Sequence, residues 1–285
     1  MNPRAYVSAI VITTAMVLTT GVFGQSPRLE FPSPSPTCTL KQRIGLTDIE
    51  IVYSRPGAKG RKVFGNVVPY GEVWRTGANA STKVSFSTPV KLNGVEIPAG
   101  KYALYTIPGE DEWTVIIYKD TKLGGAFGYK QEDDLVRFKA TPRNVSEHIE
   151  TFTIDFTNIR DESATLYLIW EQTFVPIQLQ VDVTAKLLPQ IDTVMAGTNG
   201  AKPYFQAAMF YYDHGQDMQK ARKWVEAAVA EREAYYVVHL KAKILAKLGD
   251  KEGAIAAAKR SSELATQAKD NSYVKLNQDL ISSLQ

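Results

Sequence analysis

Val90-Lys91-Leu92-Asn93-Gly94-Val95-Glu96-Ile97-Pro98-Ala99-Gly100-Lys101-Tyr102-Ala103-Leu104-Tyr105-Thr106-Ile107 decides the fold class. Val90 and Leu92 alternate with polar residues, as do Val95 and Ile97, and only Asn93-Gly94 separates the two runs. Asn-Gly accepts the positive φ that a two-residue hairpin turn requires, so the run reads as strand, turn and return strand. Pro98-Ala99-Gly100 turns the chain into the next strand, and Pro108-Gly109-Glu110-Asp111 turns it again into Trp113 to Tyr118. Outward from this centre the period stays at two: Thr47 to Tyr53, Lys83 to Ser87, Leu135 to Ala140, Thr151 to Phe156, Thr165 to Trp170 and Val175 to Val183. Nine or ten strands with hairpin turns and no helical insert predict an antiparallel β-sandwich over residues 37–181, with a barrel as the alternative.

After Asp182 the period lengthens to 3.6. Val183 to Val194 reads as a helix interrupted by Pro189, Gly197 to Gly200 as a loop, and Tyr204 to Asp270 as successive helices. Gly215-Gln-Asp-Met-Gln-Lys-Ala221 and Gly249-Asp-Lys-Glu-Gly-Ala254 resemble one another, their glycines 34 apart and their alanines 33. That period predicts two tetratricopeptide-like helix pairs in 182–285; the alternative is a helical array without repeat ancestry. The switch of period near Asp182 further predicts that the β-domain and helical tail are separable.

The chain of 285 residues carries 33 basic and 30 acidic side chains, a net charge of +3. Residues 25–181 hold 18 of each sign, so neither half is the basic module that a nucleic-acid binder needs. Residues 5–22 are uncharged and mostly apolar behind Arg4, and Val22-Phe23-Gly24 offers small residues at −3 and −1. This predicts a signal peptide over 1–24, export to the periplasm or envelope, and no membrane span after cleavage; an uncleaved anchor is the rival. Residues 25–36, rich in Pro and Ser, read as an extended leader. Cys38 is the single cysteine and lacks the apolar-small pair of a lipoprotein site. It leaves no disulfide framework and no Cys-rich zinc site.

No G-x-S-x-G, H-E-x-x-H, C-x-x-C or G-x-G-x-x-G occurs. Gly94 to Gly100 before Lys101 mimics a phosphate loop, but its glycines are one residue too far apart and it lies between strands. His148, His214 and His239 have no second ligand at metal spacing, and the acidic runs 110–112 and 132–134 lack the calcium-loop pattern. No catalytic residue, cofactor or metal is therefore assigned.

One segment stands out. Tyr53-Ser-Arg55-Pro-Gly-Ala-Lys59-Gly-Arg61-Lys62-Val-Phe64-Gly65 precedes Val68-Pro-Tyr70-Gly-Glu-Val-Trp74-Arg75-Thr-Gly77-Ala-Asn79. Four basic residues and no acidic one lie between Ile51 and Gly71. Arg55, Lys59 and Arg61 on a Gly-rich segment suit an anion, Trp74 could stack on a sugar, and Arg75 and Asn79 could supply directed hydrogen bonds. The opposing reading makes the aromatics core and the arginines loop staples.

The same run, YSRPGAKGRKVFGNVVPYGEVWRTGAN, with IPAGKYALYTIPGEDEWTVII downstream, resembles the bacterial family catalogued as domain of unknown function 2911, over about Ser33 to Val181. The resemblance implies an exported protein of Bacteroidetes-like bacteria, some relatives carrying tetratricopeptide-like tails. It implies no reaction and no catalytic residues.

Three readings follow. The first is an envelope protein whose β-domain binds a small anionic or sugar ligand or a partner, with a helical tail for protein contacts. The second is an envelope hydrolase or carbohydrate-active protein using the Arg/Trp loop with a distant carboxylate. The third makes the segment scaffold only.

Overall fold

The computed structural model describes Leu29, residues 31–198 and residues 200–285; the expected signal segment and the first residues of the leader lie outside these. Ten strands come first: β1 (Thr37–Ile44), β2 (Thr47–Ser54), β3 (Thr82–Phe86), β4 (Val90–Leu92), β5 (Val95–Ile97), β6 (Gly100–Ile107), β7 (Trp113–Tyr118), β8 (Asp134–Ala140), β9 (Arg143–Thr157) and β10 (Ser163–Val181). They form a six-stranded sheet in the order β1-β2-β3-β6-β7-β8 and a four-stranded sheet in the order β5-β4-β10-β9. Every strand pairing is antiparallel. Inward-facing residues of both sheets, among them Ile51, Val84, Leu104, Val115, Phe152, Leu168 and Ile177, share one buried cluster. This is the sandwich that the alternation predicts.

The Asn93-Gly94 turn does more than reverse the chain. Asn93 and Gly94 have φ of 46° and 81°, and Leu92 pairs with Val95 across them. The Asn93 amide donates to the Lys139 carbonyl on β8 at 2.8 Å and accepts from Gln178 N on β10 at 2.7 Å. One side chain therefore ties an edge of the larger sheet to the smaller one.

The sequence predicts separate strands over Thr165–Trp170 and Val175–Val183, whereas the structure runs them into β10. The break between them is a bulge: Glu171 has a φ of 46°, and the register with β9 shifts on both sides of it. The strand bends there without ending.

Six helices follow: α1 (Val183–Ala196), α2 (Tyr204–Asp213), α3 (Met218–Glu231), α4 (Tyr235–Lys247), α5 (Lys251–Gln267) and α6 (Asn271–Leu284). Gly215 and Gly249 take left-handed φ of 62° and 82° between α2 and α3 and between α4 and α5. Asp217 and Asp250 cap the helices after them, and Ala221 and Ala254 are fully buried where the pairs close. Each glycine thus ends one helix where a side chain would be strained, and each aspartate satisfies orphan N–H groups of the next.

The tail is fastened to the sandwich through Glu162, just ahead of β10. Its Oε1 accepts from Val183 N at 2.9 Å and from Thr184 N at 3.0 Å, so a carboxylate from the β-domain meets the positive end of α1. Val183 lies in the sandwich core, with Leu187 and Phe210 packed against it.

Candidate functional site

The Arg55–Asn79 segment links β2 to β3 along the end of the sandwich nearest β9. Trp74 is 9% exposed, and its indole N–H donates to the Gly77 carbonyl at 3.1 Å. Its ring stacks on Trp170 at 6.0 Å and meets Phe64, Trp113 and Phe152 edge-on at 5.0–6.3 Å. A ring so enclosed has no free face for a sugar. Tyr70 lies over Gly65, where an added Cβ would come within 2.8 Å of the ring.

The arginines bind the protein's own acceptors. Arg55 donates from Nε to the Phe152 carbonyl at 3.2 Å and from Nη2 to Thr153 Oγ1 at 2.6 Å. Arg61 spans the Ala58 and Gly57 carbonyls, both at 2.9 Å. Arg75 donates to the Asn79 carbonyl at 2.7 Å, and Asn79 Nδ2 reaches the Ser35 carbonyl at 3.2 Å and Ser54 Oγ at 3.3 Å. Two acidic residues that the local sequence lacks arrive from β9 and β10. Glu150 accepts from Lys59 N at 2.9 Å, and Glu171, turned by the bulge, accepts from Val63 N at 2.7 Å. Lys59 is exposed and forms no ion pair with a described residue. Of the six residues, only Arg75 and Asn79 are bonded to each other; Arg55 and Arg61 are anchored elsewhere, and Trp74 is core.

A larger opening lies where the two sheets part beside α1. This cleft of about 1270 Å³ is floored by Leu46, Val90, Ile97, Leu135, Val136 and Val181 and rimmed by Lys91, Glu96, Glu162, Asp182 and Lys186. Four of these five rim charges are already engaged. Lys91 pairs with Glu96 at 3.3 Å, Glu162 holds the α1 N-terminus, and Asp182 caps it by accepting from Ala185 N at 2.7 Å. Lys186, in the first turn of α1, forms no ion pair with a described residue. Sequence reasoning missed this cleft because its walls come from six separate stretches of chain.

A family model described as "Protein of unknown function (DUF2911)" matches residues 35–179, just over half of the chain and nearly the whole sandwich. The chain belongs to the DUF2911 family. The match ends two residues before β10 does, so in this protein the DUF2911 domain is the sandwich itself and the helices lie beyond it. No curated protein and no solved structure matches the chain. Among the described residues, no three of His, Cys, Asp and Glu stand close enough to hold a metal ion, and no helix is long and apolar enough to cross a membrane.

Proposed function

We propose that this DUF2911 protein is an exported bacterial envelope protein whose sandwich binds an amphipathic ligand, an acyl chain with an anionic head, in the cleft beside α1. The cleft carries this reading. Its volume exceeds the 300–1,000 Å³ or so that suffices for most small-molecule ligands, and its floor is apolar. Lys186 is the rim cation left for an anionic head, since the neighbouring carboxylates already serve the α1 N-terminus. Export rests on the uncharged apolar run behind Arg4 and the small residues before Gln25. The paired helices beyond Gly200, with their matched glycine turns and buried alanines, serve in this reading as a tetratricopeptide-like surface for a protein partner. The Arg55–Asn79 segment is scaffold here, because its aromatics fill the core and its arginines hold loop carbonyls.

The test is titration with cis-parinaric acid, a long-chain fatty acid that fluoresces when bound. Saturable fluorescence is expected. Leu135→Asp should abolish it, and Lys186→Glu should weaken it roughly tenfold, about 1.4 kcal/mol. Both variants should keep the wild-type melting transition to within a few degrees. Absence of saturable binding, or equal affinity in both folded variants, refutes the reading.

A further inference from the structure

The outer face of the six-stranded sheet carries a second, smaller cluster of Ala103, Tyr105, Ile116 and Tyr118, covered by the loop between β7 and β8 through Leu123 and Tyr129. At its edge lie polar groups that neither the core nor the cleft uses. Ser81 and Lys83 are two apart where the chain enters β3, so both side chains point to this same outer face. Lys83 Nζ donates to Ser81 Oγ at 2.5 Å. Ser81 is only 3% exposed, and its Oγ donates to the Leu123 carbonyl at 2.5 Å. The buried Tyr105 hydroxyl donates to the Gly125 carbonyl at 2.9 Å. A serine, a lysine and a tyrosine thus converge under a loop holding Gly124, Gly125 and Gly128.

From this geometry we infer that Ser81 and Lys83 are a nucleophile–base pair for acyl esters, kept silent while the loop from Lys119 to Asp133 lies over them. A serine hydroxyl is a weak nucleophile until an adjacent base takes its proton, and an amine serves when it is neutral. Burial holds the Lys83 ammonium below its ordinary pKa, while Asp120 on the loop opposes that shift. Tyr105, whose own pKa is raised chiefly by burial, also faces the pair, and Arg75 acts on it from the segment before β3. With the loop closed, the Ser81 proton is held by the Leu123 carbonyl and not by the amine. Displacing Leu123 frees that proton for neutral Lys83. In the reaction, Ser81 Oγ bonds to the acyl carbon as its proton passes to Lys83 Nζ. The ester C–O bond breaks, and the leaving oxygen takes the proton from Lys83. Water then attacks the acyl-serine, giving its proton back through Lys83, and releases the acid with Ser81 restored. No oxidant or reductant takes part. The loop is pinned at its far end by Tyr129, whose hydroxyl donates to Asp134 Oδ1 at 2.7 Å, so loosening that pin should expose the pair.

The experiment exposes the full chain to a fluorophosphonate probe and to p-nitrophenyl acetate between pH 7 and 9. Intact mass, fragment mapping and release of p-nitrophenol are followed. A single adduct on Ser81 is expected, absent in Ser81→Ala. Labelling should rise with pH, fall about a hundredfold in Lys83→Gln, and speed up in Tyr129→Phe. A cluster that only fastens the loop predicts lower melting temperatures in these variants and no adduct. Three results overturn the inference: no adduct on wild type or Tyr129→Phe at pH 9, an adduct that survives Ser81→Ala, or wild-type labelling in a folded Lys83→Gln.

Discussion

Removing the Trp74 ring should damage the fold far more than any ligand affinity. The indole contacts four other aromatic rings and the Gly77 carbonyl, and a cavity of that size in a packed core costs about 3–5 kcal/mol. Urea denaturation of Trp74→Ala should show that loss. Arg61→Ala, which removes an exposed side chain from two loop carbonyls, should cost less than about 1 kcal/mol. A Trp74→Ala protein as stable as wild type would mean the aromatic cluster does not hold the sandwich together. The two outcomes also show why the local sequence looks like a binding site. Four cations without a neighbouring acid suggest an unmet charge, but their segment is held by Glu150, Glu171 and the Phe152 carbonyl, each about a hundred residues away in the chain. Hydrogen bonds that arrive from other strands cannot be read from one stretch of sequence. Ser81 and Lys83 are the opposite case: their shared face follows from a spacing of two, while the loop above them does not.

At the scale of elements, α4, α5 and α6 are joined by a buried polar chain with a definite direction. Asn277 Nδ2 donates to Ser261 Oγ at 2.8 Å and to the Tyr273 carbonyl at 2.7 Å, so its Oδ1 is left to accept. It lies 2.7 Å from His239 Nδ1, which must therefore carry the hydrogen. Burial pushes the His239 pKa down from its ordinary value, with Lys243 acting in the same direction and the Asn277 bond against it. The unfolded chain then binds a proton more readily than the folded one. His239 thus favours folding above about pH 6.5, and that contribution fades as the pH falls from there through the lower folded value. Denaturant midpoints at pH 8 and pH 5 should differ more in wild type than in His239→Gln. Equal differences in the two proteins would show that His239 does not feel its burial. Elements themselves were legible wherever a local rule governs them. Asn-Gly needs positive φ and marked the β4–β5 hairpin, and the 3.6-residue period marked the helices of the tail. The single run of β10 was not legible, because a bulge at Glu171 and a strand end look alike without the partner strand.

At the scale of the molecule, the change of period near Asp182 marks where strand becomes helix, but the packing boundary lies further along. Val183 sits in the sandwich core, Leu187 and Phe210 pack against it, and Glu162 holds the first two N–H groups of α1. Cutting at 181 would expose that apolar surface and leave the Glu162 carboxylate without its helix. Cutting within 197–203 keeps α1 in place and loses only Phe210 from the β-side cluster. A fragment of residues 37–198 should therefore unfold cooperatively and outlast a fragment of residues 37–181. Burial of Val183 and Leu187 gives about 1.5–3 kcal/mol for each side chain, reduced for the partly exposed Leu187. Limited proteolysis of the whole chain should cut first near Gly197–Gly200, where the backbone leaves α1 and has not yet entered α2, and should spare the Asp182 junction. Urea curves for the two fragments and the mass of the first proteolytic product measure both expectations. Equal stability of the fragments, or first cleavage at 182–186, would make α1 part of the tail and leave the cleft with a wall that moves independently of the sandwich.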